Sequence, residues 1–160
     1  PTPDGRSGTR CQHWVKHIDV ETDPDRLCVC PPQPAIQPMQ NPLLAYDGSQ
    51  RASAALYRAA EFCAVTDLPL TVLYVKPRDG STEEKTLDEA RHYLGSYGRH
   101  PVFLAVSGQP YEQIVECVKQ RGHDLLFIGA YGHSRIIEMV LGSTTEYVLR
   151  NAPCPVFLSR

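Results

Sequence analysis

Three glycines and a hydroxyl residue lie at a spacing suited to holding phosphate: Gly129, Gly132 and Gly142 form G-x2-G-x9-G, with Ser143 directly after the last. Glycine lets backbone N–H groups approach an anion without a Cβ in the way, and it reaches φ > 0. The apolar run Leu125 to Ile128 precedes these residues, so the first glycines fall where a buried strand ends and the chain turns towards a helix. A helix opening near Ser143 would add free N–H groups and its positive dipole end, with Thr144 next in line. Upstream, Asp47 follows a second apolar run, Leu43 to Tyr46, and precedes Gly48-Ser49. A carboxylate there either closes the turn onto nearby amides or faces the sugar of a ligand. His133 and Arg135 lie inside the glycine loop, where they could pair with a phosphate or face water; neither is expected to be catalytic.

The missing chemistry narrows the choice. No G-x4-G-K-[ST] loop places a lysine as in P-loop ATPases, and no clustered carboxylates suggest a two-metal phosphoryl-transfer centre. Serines and cysteines stand in no nucleophile-elbow motif with an identifiable base. These absences favour a binding module over an enzyme.

The elements that must position the glycines alternate from residue 42 onwards. Leu43 to Tyr46, Leu70 to Val75, Val102 to Val106, Leu125 to Ile128 and Val156 to Leu158 read as strands. Between the first two, Ser49 is a candidate cap for a helix whose Ala52, Leu56, Ala59, Ala60 and Cys63 form one buried stripe, leaving Arg51, Arg58 and Glu61 outside. Ser81 to Glu84 is a capping-box signal, and Leu87, Ala90, Leu94 and Tyr97 mark the inward face of the helix it opens. Gly108-Gln-Pro110 starts a third helix, buried through Tyr111, Ile114, Val115 and Val118. Thr144, Tyr147 and Val148 mark the inward side of the last helix. Strands of four to six residues separated by helices predict βαβ units with right-handed crossovers. The expected fold is α/β, Rossmann-like: an open five-stranded parallel sheet with helices on both faces. Ligands of such sheets lie beyond the carboxyl ends of the strands, where strand order reverses.

From Leu43 to Arg160 the chain resembles the universal stress protein family, in its ATP-binding subclass. Three stretches carry the likeness: Leu-Leu-Ala-Tyr-Asp-Gly-Ser at residues 43–49, the G-x2-G-x9-G-Ser loop, and residues 142–158, Gly-Ser-Thr-Thr-Glu-Tyr-Val-Leu-Arg-Asn-Ala-Pro-Cys-Pro-Val-Phe-Leu. One position departs, since the second residue between the first two glycines, often His in the family, is Tyr131. The resemblance implies an adenine-nucleotide α-hydrolase-like strand order that brings Asp47 and Gly129 together. It further implies Asp47 on the adenosine, Ala45 near the base, the backbone of Val75 on the adenine edge, and Gly129, Gly132, Gly142, Ser143 and Thr144 around the phosphates. ATP is the expected ligand. Magnesium is expected with it, because the phosphate charge needs compensation and the loop supplies no lysine. A homodimer or tandem-repeat pairing through Val156, Phe157 and Leu158 is implied as well, on a strand edge that needs covering. The resulting reading is an ATP-binding regulatory module of the stress response without efficient catalysis. A slow ATPase or adenylate-transferring enzyme, and a structural dimerisation domain with a vestigial pocket, remain as alternatives.

The 160 residues suit one domain plus an appendage, and the formal charge of −2 gives no global argument for a nucleic-acid surface. No apolar stretch approaches the ~20 residues of a membrane span. The first residue, Pro rather than Met, suggests a piece of a longer tandem or transporter-linked protein. Residues 1–41 hold half of the 14 prolines and read as a linker or the remnant of a preceding unit, leaving 42–160 as the domain. Within that segment, Trp14 to Lys16 and Leu27 to Cys30 resemble the family's closing helix and last strand. Cys11, His13, His17, Cys28 and Cys30 offer zinc-ligand types, but their spacings match no standard knuckle and the linker reading is preferred. Cys63, Cys117 and Cys154 read as core residues, which fits a reducing, cytoplasmic compartment.

Overall fold

A computed structural model describes residues 26–29, 38–76, 83–97, 101–129 and 142–159. Its elements are β1 (Arg26–Val29), β2 (Pro42–Ala45), α1 (Gln50–Thr66), β3 (Thr71–Lys76), α2 (Glu83–Gly95), β4 (Val102–Ser107), α3 (Pro110–Arg121), β5 (Leu125–Gly129), α4 (Ser143–Asn151) and β6 (Val156–Ser159). They form one sheet in the order β1-β6-β5-β2-β3-β4. Strands β2 to β6 pair in parallel, as the alternation of strand and helix predicts. The addition is β1, which pairs antiparallel with β6 and lies inside the segment read as a linker or remnant.

Side chains alternate across the strands, so each parallel strand feeds two cores. On one face Leu43, Ala45, Leu126, Ile128, Val156 and Leu158 pack with Ile114, Val115 and Val118 of α3 and Val148 of α4. On the other, Leu44, Tyr46, Val72, Leu125 and Phe127 pack with Ala52, Ala55, Leu56, Ala59 and Cys63 of α1 and Ala90 and Leu94 of α2. The α1 stripe agrees with its 3.6-residue spacing, and Ser49 caps it: the Ala52 N–H donates to Ser49 Oγ at 3.2 Å. Cys63, Cys117 and Cys154 are buried and in the thiol state.

Three inward assignments need correction. Tyr97 lies beyond the end of α2, is 42% exposed, and shares a 3.0 Å hydroxyl contact with Tyr93. In α4 the buried threonine is Thr145, with Thr144 only half-buried, and Tyr147 is 40% exposed. Its ring packs on Tyr111 of α3 at 4.7 Å, so an amphipathic ring bridges two helices at the surface rather than filling the core.

The entrance to β2 is stapled to the turn between α3 and β5. Asp124 accepts the N–H groups of Gln40 (2.6 Å) and Asn41 (2.9 Å), and Asn41 Nδ2 donates to the carbonyls of Arg121 (3.1 Å) and Gly122 (3.3 Å). His123 completes the staple by donating from Nδ1 to the Asn41 carbonyl at 3.0 Å. It is 5% exposed, and its Nε2 has no hydrogen-bond partner among the described residues. Burial lowers its pKa below the ordinary 6.5, reinforced by Arg121 and opposed by the Asn41 bond and Asp124. A depressed folded-state value means that folding favours the neutral ring. The His123 contribution to stability is therefore complete above about pH 6.5, falls as pH drops below it, and levels off beneath the folded pKa. Urea unfolding between pH 7.5 and 5 should show this decline in the native chain, and His123→Gln should flatten it. Equal slopes in the two proteins would remove His123 as the titrating group.

Candidate functional site

From β2 the chain winds outward through β3 to β4, then crosses back to β5 and outward to β6, so winding reverses between β2 and β5. These two strands pair directly, with Ala45 beside Ile128. Asp47 follows the end of β2 and Gly129 ends β5, so the topology places both at the carboxyl end of the reversal point, where α/β sheets open a crevice. A cavity of about 360 Å³ occupies this place. Ala45, Asp47, Val75, Gly129, Gly142, Ser143 and Thr144 all line it. Of the site residues read from the sequence only Gly132 is not among them; with Tyr131, His133 and Arg135 it lies outside the described residues.

Each lining group has a local cause. Asp47 Oδ1 accepts the Ser49 N–H at 2.9 Å, so the carboxylate shapes the turn into α1 while its residue remains exposed at the cavity. Gly48 between them takes φ +79°, a conformation that side chains resist. At the opposite wall Gly142 is the N-cap of α4 and offers no side-chain acceptor to the helix. The N–H groups of the first α4 turn have no acceptor within the helix, and the helix dipole adds positive potential there. Ala45, Leu73, Ile114 and Ile128 give the cavity an apolar floor. Tyr46 also lines it, its phenol pushed above 10.0 by burial.

Gly129 has a second reason to be glycine. A Cβ on it would stand 2.5 Å from the carbonyl carbon of Arg51 and 2.8 Å from the Ala52 nitrogen, both in the first turn of α1. The missing side chain thus lets a helix backbone press onto the strand end. Phosphate approach alone does not account for the residue, as the loop motif had suggested.

Sequence reasoning missed Arg51 and Thr145. The arginine was set outside because it falls off the apolar stripe of α1, but the first turn of that helix borders the cavity and Arg51 lines it. It is the one basic residue among the described lining residues, as Asp47 is the one acidic. Thr145 lies one position past the threonine chosen from the sequence, and its hydroxyl reaches the Gly129 carbonyl at 3.5 Å. No group of three or more His, Cys, Asp or Glu among the described residues is placed to hold a metal ion. Cys11, His13, His17 and Cys30 lie outside those residues, and Cys28 is described as a backbone position in β1.

A parallel α/β sheet opening at its reversal point onto a cavity walled by a helix N-terminus defines a Rossmann-like protein. The chain belongs to the universal stress protein family: residues 80–160, just over half of it, match that family. Universal stress protein Slr1230 from Synechocystis is 34% identical over 157 residues, covering 98% of this chain and 52% of that protein, so the chain spans about half of its relative's length. A universal stress protein from Archaeoglobus fulgidus is 28% identical with a TM-score of 0.66, over 76% of this chain and 45% of that one. A universal stress protein solved in complex with cAMP is 25% identical with a TM-score of 0.65, over 76% of this chain and 97% of the other.

The Gly129 contact gives a direct expectation. Gly129→Ala should lower stability by about 1–3 kcal/mol, because the neighbouring atoms of Arg51 and Ala52 are backbone and cannot rotate away. Thermal unfolding measured without nucleotide is the check. An unchanged midpoint would show that α1 yields freely and that the close approach is not a constraint.

Proposed function

We propose that residues 42–160 are an ATP-binding regulatory module of the stress response, without efficient catalysis. The observation that carries this reading is the convergence of Asp47, Gly129 and the α4 N-terminus on one cavity at the sheet's reversal point. The apolar floor suits a base, with Ala45 beneath it and the Val75 backbone at its edge. Asp47 would accept from the ribose. The N–H groups of Ser143 and Thr144, with Gly129 and Gly132, would take the phosphates. A cavity of about 360 Å³ falls within the usual span of ligand pockets, ~300–1,000 Å³. The cAMP complex of a relative at 25% identity supports an adenine nucleotide as the ligand class.

Magnesium would arrive on the phosphates, since Asp47 is the sole acidic group among the described lining residues. Regulation requires ATP to have different affinities for two states of the protein or its assembly. The partner surface in this reading is the outer edge of β6, through Val156, Phe157 and Leu158. The β1–β6 ladder supports tandem-type pairing there, with a preceding segment of the same chain in the place of a second copy. The buried thiols favour a reducing, cytoplasmic setting.

Calorimetry with ATP tests the site. Asp47→Ala should weaken binding by roughly 10- to 100-fold, the loss of a charged hydrogen bond. Gly142→Val should reduce it further by placing a branched side chain at the helix entrance, with the circular dichroism spectrum kept. Labelled ATP should be retained without product. Repeated turnovers abolished by Asp47→Ala would make the protein an enzyme, and no binding at all would leave a structural domain.

A further inference from the structure

We propose that Arg51 makes the cavity sensitive to the number of phosphates on its nucleotide, so that ATP is held more tightly than ADP and ADP more tightly than AMP. This role rests on the adenine-nucleotide reading of the cavity and adds to it a cation that the glycine motif does not supply. Arg51 is half-buried in the first turn of α1, and it is the one basic residue among the described lining residues.

Its place in the crevice follows from the sheet. Leu73 and Val75 line the cavity from β3, and Gly129 ends β5, two strand spacings or roughly 10 Å away. A base lying over β3 therefore sends its phosphates towards β5. There the Arg51 backbone stands against Gly129, so close that a Cβ on the glycine would lie 2.6 Å from the Arg51 carbonyl oxygen. From the other side Thr145, in the first turn of α4, reaches the Gly129 carbonyl with its hydroxyl at 3.5 Å. The N-terminal turns of two helices meet at one strand end, and Arg51 adds a full charge to their positive dipole ends.

Helix α1 gains nothing from an arginine at this position. A first turn favours carboxylates, α1 has none there, and the dipole repels a cation. An anion in the cavity offsets both the dipole and the side chain. The guanidinium stays charged at any working pH, and its planar fork matches phosphate oxygens. Arg51 interacts elsewhere within the protein as well; its five N–H donors let it keep such a contact and still take a phosphate oxygen. Amide contacts to the first phosphate serve all three nucleotides alike. A fixed full charge gains with every phosphate added, because each brings further negative charge to the same place.

Calorimetry with AMP, ADP and ATP on the native chain and on Arg51→Gln tests the role. Native affinity should rise by about tenfold or more from AMP to ATP. Arg51→Gln should weaken ATP binding by roughly 10- to 100-fold, the loss of a charge-assisted contact, and AMP binding by less than about threefold. Arg51→Lys keeps the charge without the fork and should recover part of the ATP loss. Added salt should weaken ATP binding more steeply in the native chain than in Arg51→Gln. Equal losses for all three nucleotides would make Arg51 a packing element of the wall and overturn the role, as would an unchanged ATP affinity. A native chain that binds AMP as tightly as ATP would overturn it while leaving the nucleotide site standing. One that binds no adenine nucleotide would overturn the site and the role of Arg51 together.

Discussion

The backbone of α1 approaches the end of β5 so closely that residue 129 has no room for a side chain. Much of the site follows from this approach. It sets the first turn of α1 against the strand that carries the glycine loop, so Asp47, Ser49 and Arg51 border the same cavity as Gly142 and Ser143. Were the helix to stand off by the width of a methyl group, the crevice would widen and its two walls would part. Close packing here is a condition of the site's shape as well as of stability.

The two walls are built on different principles. The α1 wall is satisfied internally, with Asp47 and Ser49 each accepting a backbone N–H nearby. The α4 wall begins with a glycine cap that brings no acceptor of its own. Polarity therefore changes across the cavity, from the Asp47 and Arg51 side chains on one wall to backbone donors on the other.

The parallel sheet and most of its core were legible because hydrophobic periodicity reports burial directly. Ala52, Leu56, Ala59, Ala60 and Cys63 are buried as their spacing requires. Periodicity fails where a surface residue borders a cleft instead of a core: Arg51 sits off the apolar stripe, yet the cavity opens beside it. It also fails by one position in α4, since Thr144 and Thr145 are identical in type and nine residues fix the helical phase poorly. Tyr147 and Tyr97 misled for a different reason, because an aromatic ring with a hydroxyl can pack sideways on another ring and stay wet. Periodicity carries no information on which strands pair over long separations, and that came from the family resemblance. Leu27 to Cys30 resembled a last strand, but among many prolines four residues did not give the antiparallel register with Val156 to Ser159.

Asn41 and Asp124 bind each other's neighbourhoods through backbone groups on both sides of the staple. Such an arrangement acts as a mechanical clamp at the root of the first parallel strand. Tension applied to the chain ahead of Gln40 would meet several hydrogen bonds at the α3–β5 turn before it reached the centre of the sheet.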